Sequence, residues 1–239
     1  MCASPYGSVL GGRRAPTRVP TVCKHGPVTI QPPAAFPPST PSIGARASIG
    51  PLRIGPIEVA TPVVLAPMAG VTNASFRRLC RLAGESMLPA ELRPGQAGRL
   101  AIRDGGLMAP AGMYINEMVT TRALVERNEK TLAMVRSDPG ERVRSIQLYG
   151  VDPSIAGAAV RILVEEDLAD HIDLNFGCPV PKVTRKGGGA ALPWKRDLLA
   201  AILTEAVRAS EAAVRATGRV REVPVTMKMR LGIDEEHET

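Results

Sequence analysis

Three short strand-like stretches separated by helical patterns constrain this chain most. They are residues 145–149 (SIQLY), 171–175 (HIDLN) and 223–229 (VPVTMKM), and each carries a polar residue near its C-terminal end: Gln147, Asn175 and Lys228. The segments between them suit helices, one starting at Asp152 or Ser154 and running through about residue 166, the other spanning about 195–216. Upstream, residues 63–66 form a short apolar run ended by Pro67. A helix capped by Thr72 or Asn73 then runs to about Ala83 and is stopped by Gly84. A strand over 113–118 and a helix over about 120–126 complete the pattern. Strands alternating with helices imply a parallel sheet covered by helices, an α/β fold. Polar groups at several successive strand ends favour a TIM-type (β/α)8 barrel over a doubly wound sheet, which concentrates its site at one switch point. Only about five of eight strand–helix units precede Thr239. The expectation is therefore the N-terminal part of a barrel over 51–239, with strands one and five as open edges.

The flanks read differently. Residues 1–50 hold nine of the 22 prolines and five bases without an acid, so they are expected to be a disordered, basic tail. That tail accounts for most of the net charge of +7, which weakens any argument from charge to nucleic acid. Residues 85–112 show no sustained period and read as a long loop or insertion. The four cysteines (Cys2, Cys23, Cys80, Cys178) form no CxxC pair, and His25, His171 and His237 have no ligand spacing, so no metal is expected. Free thiols and the lack of an apolar run of about 18 residues fit a cytoplasmic protein without a membrane span.

The chemistry concentrates in residues 173–192, DLNFGCPVPKVTRKGGGAAL. A strand ends at Asn175, Cys178 sits in the turn that follows, and Lys182, Arg185 and Lys186 lead into three glycines. Cys80, by contrast, falls on the first helix and reads as core. Five motifs now lie in order: APMAGVTN at 66–73 with Phe76-Arg77, Glu117-Met118, QLYG at 147–150, NFGCP at 175–179 with Lys182-Val183 and 187–192, and MKMRLG at 227–232. Together they resemble the tRNA-dihydrouridine synthases, in particular a DusB-like, actinobacterial-type branch. The resemblance implies a flavoprotein that binds FMN in a barrel, takes reducing equivalents from NADPH and reduces the C5–C6 bond of uridines in tRNA.

The roles implied by that resemblance are these. Cys178 is the proton donor to C5, a task that calls for a neutral thiol within reach of the base. Pro67, Met68 and Ala69 present backbone to the flavin ring. Gln147 can donate to and accept from its pyrimidine edge. Lys228 places a cation near the flavin N1–O2 region. Asn175 meets flavin or uracil, Arg230 contacts tRNA or cofactor, and Lys182, Arg185 and Lys186 face tRNA phosphate. The target base must leave its stack to enter. The family's later barrel units, with a histidine near the flavin and loops for the FMN phosphate, and its helical tRNA-binding domain are expected to be absent from this chain. The competing readings are another FMN barrel acting on a small molecule, and an inactive truncated or pseudogene product.

Overall fold

In the computed structural model, residues 49–93 and 105–231 are described. The tail through residue 48, residues 94–104 of the expected insertion, Cys2, Cys23, His25, Gly232 and His237 lie outside the described residues. A hairpin, β1 (Leu52–Ile54) and β2 (Ile57–Val59), precedes β3 (Val64–Leu65) and α1 (Ala74–Ser86). Next come β4 (Leu107–Ala109), β5 (Met113–Tyr114), β6 (Val119–Thr120), α2 (Thr121–Val125) and α3 (Glu129–Val135). Then follow β7 (Ser145–Tyr149), α4 (Pro153–Glu165), β8 (His171–Phe176), α5 (Pro181–Thr184), α6 (Arg196–Thr217) and β9 (Val225–Met229). β3 pairs with β5 in parallel, Ile115 bridges to Ser145, and β7, β8 and β9 pair in parallel in that order. Five successive parallel strands therefore present their C-terminal ends to one side.

Several elements depart from the sequence expectation. Gly84 does not stop α1 but lies inside it, because a Cβ there would stand 2.7 Å from the Tyr114 hydroxyl; the glycine allows α1 to approach β5. Of the strand expected over 113–118 only β5 and the Ile115 bridge form, and β6 starts beyond it at Val119. At the break Asn116 Oδ1 accepts from the Gln147 backbone N–H at 2.7 Å, so a side chain replaces strand pairing. A second helix, α3, follows α2, with the Asn128 side chain accepting from Thr131 N–H as its cap. The stretch expected as loop over 85–112 contains β4, which pairs in parallel with β2. β9 begins at Val225 rather than 223, since the Val223 carbonyl accepts from Ser210 Oγ on α6.

The alternation on β7 and β8 divides their two faces. Ile146, Leu148, Ile172, Leu174 and Phe176 pack in one core with Val160 and Leu163 of α4 and Ile202, Ala206 and Ala209 of α6. A smaller cluster joins Ile57, Leu107, Met113 and Val143. The opposite face carries Ser145, Gln147, His171, Asp173 and Asn175, all buried. Buried polar groups require partners, and here they find one another. Ser145 Oγ lies 2.7 Å from His171 Nδ1, and His171 Nε2 lies 2.9 Å from Thr226 Oγ1. Thr226 Oγ1 donates to Asp173 Oδ1 at 2.7 Å. Burial lowers the His171 pKa from 6.5 to about 4, which keeps the imidazole neutral.

A buried ion pair braces the segment after β3. Arg77 donates through Nε and Nη2 to Glu141, with both side chains buried, and through Nη1 to the Thr72 carbonyl at 2.7 Å. Removing one partner strands the other charge. Arg77→Met is expected to cost about 3–5 kcal/mol, and Arg77→Met with Glu141→Leu clearly less than the two single losses combined; urea unfolding of the four proteins checks this.

His171 makes stability depend on pH in a defined direction. Above about pH 6.5 neither folded nor unfolded chain protonates this ring, and its contribution to stability is intact. As pH falls from 6.5 to about 4 the unfolded chain gains a proton that the folded one does not, so stability is lost. Asp173, whose pKa burial raises, acts in the opposite sense. It cancels when wild type is compared with His171→Gln. The wild type should lose up to about 3 kcal/mol more than the variant across that window. Parallel stability curves would show that His171 is not held neutral.

Candidate active site

The strand ends assemble the site through local backbone constraints. After β3, Pro67 ends the extended run and the chain turns back on itself. Met68 N–H donates to Thr72 Oγ1 and its carbonyl accepts from Thr72 N–H, both at 3.0 Å. Glu117 Oε2 accepts from Gly70 N–H at 2.7 Å, tying this turn to the segment between β5 and β6. After β8, Pro179 and Pro181 bring the chain out of the strand into the single turn of α5. The glycine run then folds back beneath Cys178. Ala190 N–H donates to the Cys178 carbonyl at 3.0 Å, and Gly189 has φ +56° with no room for a Cβ against that carbonyl. The three glycines are buried, so they support the loop from within while Lys182, Arg185 and Lys186 stay exposed outside it.

A cleft of about 230 Å³ opens at the strand ends. It brings together Pro67, Ala69, Gln147, Asn175, Cys178, Lys228 and Arg230, seven residues expected from sequence. Met68 contributes its hydrogen-bonded backbone to the turn but does not line the cleft, and Lys182, Arg185 and Lys186 lie outside its lining. Met118 and Val180, not expected there, form part of the wall. A larger groove of about 550 Å³ runs along α6 and the start of β9. Its charged groups are Glu211, Arg215 and Glu222, and its one hydroxyl, Ser210, donates to the Val223 carbonyl. Chemistry, rather than size, identifies the site.

Hydrogen bonds link the cleft to the polar face of the sheet. Gln147 Nε2 donates to Asp173 Oδ2 at 2.7 Å, and Asn175 Nδ2 donates to Gln147 Oε1 at 3.0 Å and to Met118 Sδ at 3.4 Å. Asn175 Oδ1 accepts from Cys178 N–H at 2.9 Å and from Gly177 N–H at 3.3 Å. Arg230 Nε donates to the Gly177 carbonyl at 2.7 Å, so it also braces the loop. Gln147 is fully buried and forms the cleft floor without accessible surface, with Asn175 and Asp173 against its amide. Burial raises the pKa of Asp173, opposed by its bonds to Thr226 and Gln147 and by the charge of Lys228. Tyr149, two residues beyond Gln147 on β7, has its phenol pKa raised by burial first and by Cys178 second, so it stays protonated. The alternation S-I-Q-L-Y against H-I-D-L-N-F is the sequence signal that marks Tyr149, Asp173 and Ser145 as sharing the Gln147–Asn175 face.

The cleft can accept a planar group with carbonyl and ring-nitrogen acceptors. It offers the Lys228 ammonium, the Asn175 amide, a backbone turn at 67–69 and one thiol on its rim. Among the described residues no group of three His, Cys, Asp or Glu side chains could hold a metal ion. No helix among them is long and apolar enough to cross a membrane.

The sequence also matches known proteins. The profile of the family described as "Dihydrouridine synthase (Dus)" matches residues 64–239. The chain is 50% identical over 188 residues to a "Probable tRNA-dihydrouridine synthase" of Mycobacterium tuberculosis, covering 79% of this chain and 41% of that protein. It is 51% identical over 177 residues to one from Mycobacterium leprae, covering 74% and 44%. With "tRNA-dihydrouridine synthase B" of Escherichia coli it shares 35% over 188 residues, covering 78% and 46%. The chain thus spans less than half the length of these curated relatives. The profile match includes β3, β5, β7, β8, β9 and every residue of the cleft, and the chain belongs to the dihydrouridine synthase family.

Proposed function

We propose that the chain carries the catalytic cleft of a cytoplasmic tRNA-dihydrouridine synthase, which reduces the C5–C6 bond of uridine in tRNA using FMN and NADPH. In this reading its five parallel strands are consecutive units of a TIM-type barrel. The observation that carries the proposal is the convergence of Cys178, Asn175, Lys228 and the 67–69 turn on one cleft at the strand ends. The donor set fits FMN: a cation and an amide stand opposite a backbone turn, matching the electron-rich edge and flat face of the ring. When bound, FMN reduced by NADPH supplies a hydride to C6 of the base. Cys178 Sγ delivers the proton to C5, so that hydride and proton together saturate the double bond. Lys228 would place its cation against the electron-rich edge of the flavin and offset negative charge there. Pro67 and Ala69 would hold the ring through backbone, with Met68 shaping their turn through its bonds to Thr72; Gln147 would support it from the floor, and Asn175 would orient the ring or the base. Lys182, Arg185, Lys186 and Arg230 surround the mouth for tRNA phosphate.

The test takes this chain, FMN, NADPH and tRNA lacking dihydrouridine. FMN titration and dihydrouridine formation are followed in parallel, because the chain spans only part of its relatives. The wild type should bind FMN and modify tRNA but not free uridine. Cys178→Ala should keep FMN affinity and lose about 100-fold or more in rate. Comparable turnover of free uridine would favour a small-molecule enzyme, and no FMN binding would sink the cofactor reading.

Lys228→Met separates cofactor binding from chemistry. Loss of one charge-assisted contact should weaken FMN binding by about tenfold or more, read by the same titration. An unchanged dissociation constant would remove Lys228 from the cofactor site.

A further inference from the structure

The ladder beneath Cys178 has a direction. Asp173 is an acceptor-only carboxylate at one end. The backbone N–H groups of Gly177 and Cys178 are donor-only groups at the other. Two amides lie between them, and each must show its NH₂ one way and its oxygen the other. Gln147 turns Nε2 to Asp173 and Oε1 to Asn175, and Asn175 turns Nδ2 to Gln147 and Oδ1 to the loop. Every link runs donor to acceptor in the same sense, with the two ends in agreement. Asp173 is itself held by Thr226 on the neighbouring strand, and Thr226 by His171.

We infer that Asp173 is a positioning residue: its acceptor oxygen holds Gln147 and Asn175 in register and so fixes the Gly177–Cys178 turn that presents the thiol. Asp173 lines neither the cleft nor the Cys178 loop and acts only through the two amides. The property that matters is acceptance by the oxygen facing Gln147. An asparagine at 173 satisfies it, since Oδ1 can accept from Gln147 while Nδ2 donates to Thr226 Oγ1, whose proton then turns to His171. A leucine of similar volume cannot, and it leaves Gln147 Nε2 buried without a partner. A carboxylate at 175 opposes the ladder, because it faces Gln147 Oε1. Rotating the Gln147 amide to answer it sets Oε1 against Asp173. Asn at 173 then resolves the conflict by donating to Gln147, which reverses the ladder while keeping the bonds to the loop.

The experiment reads the loop itself. Backbone hydrogen exchange of the peptide containing residues 175–180 and the alkylation rate of Cys178 by iodoacetamide are measured by mass spectrometry on the 239-residue chain, with Cys80 on α1 as internal reference. Asp173→Leu should speed both by about fivefold or more, the equivalent of one lost hydrogen bond, with Cys80 unchanged. Asp173→Asn should stay near wild type. Thr226→Val, which leaves the Gln147 link in place, should lower the unfolding midpoint without altering either rate. Asn175→Asp should loosen the loop, and Asp173→Asn added to it should restore protection; this pair also serves if Asp173→Leu does not fold. If Asp173→Asn behaves like Asp173→Leu, charge rather than acceptance is what matters and the inference fails. It fails equally if neither Asp173→Leu nor Asn175→Asp changes the loop, or if the double variant gives no recovery. The inference takes the catalytic importance of Cys178 from the proposed function, but its readouts need neither flavin nor tRNA. A failed ladder and a failed cofactor reading would therefore appear in different experiments.

Discussion

A carboxylate enclosed among three parallel strands has to be answered by donors, and the interior of this fold is arranged around that requirement. Asp173 lies on β8 between Gln147 of β7 and Thr226 of β9, and each neighbour donates to one of its oxygens at 2.7 Å. An unpartnered polar group in such a place would cost more than a typical hydrogen bond contributes. The partners are therefore not interchangeable with apolar residues of the same size. The demand passes outward from there. Thr226 gives its proton to Asp173 and must accept from His171, which in turn must accept from Ser145. A neutral His171 with its proton on Nε2 is the arrangement that satisfies all of these links, in keeping with the lowering of its pKa by burial.

Stability and function are thus assigned to opposite faces of the same strands. The outward residues of β7 and β8 are aliphatic or aromatic and pack under α4 and α6, where close contact between helices relies on Ala159, Ala206, Ala209 and Ala213. The inward residues are joined by hydrogen bonds that set positions. Position is what the proton donor of the proposed reaction would need, because proton transfer depends on geometry before acidity. The Cys178 turn is held from three directions: Asn175 below, Ala190 at the Cys178 carbonyl, and Arg230 at the Gly177 carbonyl. Across the cleft the 67–73 turn is held comparably by Thr72, Arg77 and Glu117. Both walls are tied by bonds within the chain itself, and walls fixed in that way reduce the ordering cost of binding.

The long, strongly patterned elements were legible in the chain itself. Asp152 does cap α4, Asn73 does cap α1, and α6 runs within a residue of its expected limits. The residues that line the cleft were named from motifs at strand ends, and seven of them meet there. What escaped was set by tertiary context. Gly84 carries a stop signal locally, but the approach of Tyr114 makes it an interior helix residue. β4 is three residues long and is recognisable only once β2 lies beside it. α3 depends on the Asn128 cap, which resembles any other loop asparagine. Asp173 and Tyr149 lie within the same strand motifs, but a motif does not say which buried side chains answer one another; that follows only from the register of β7 against β8, which sets Gln147 beside Asp173.

The same network also bears on how a base could be recognised. Both ends of the Asn175 amide are already engaged: Oδ1 with the loop, and one Nδ2 hydrogen with Gln147. The other Nδ2 contact is to Met118 Sδ at 3.4 Å, and a thioether is a weak acceptor. Exchanging it for a carbonyl oxygen of flavin or uracil gains a stronger bond without disturbing either link of the ladder. The Met118 contact is therefore the one bond at Asn175 that a ligand can take over cheaply. In the proposed reaction, Asn175 would hold the ligand and the Cys178 turn with the two ends of one planar group. The distance between bound ring and thiol would then be governed by the rigid span of an amide, and the orientation of that amide by Asp173 two residues before it.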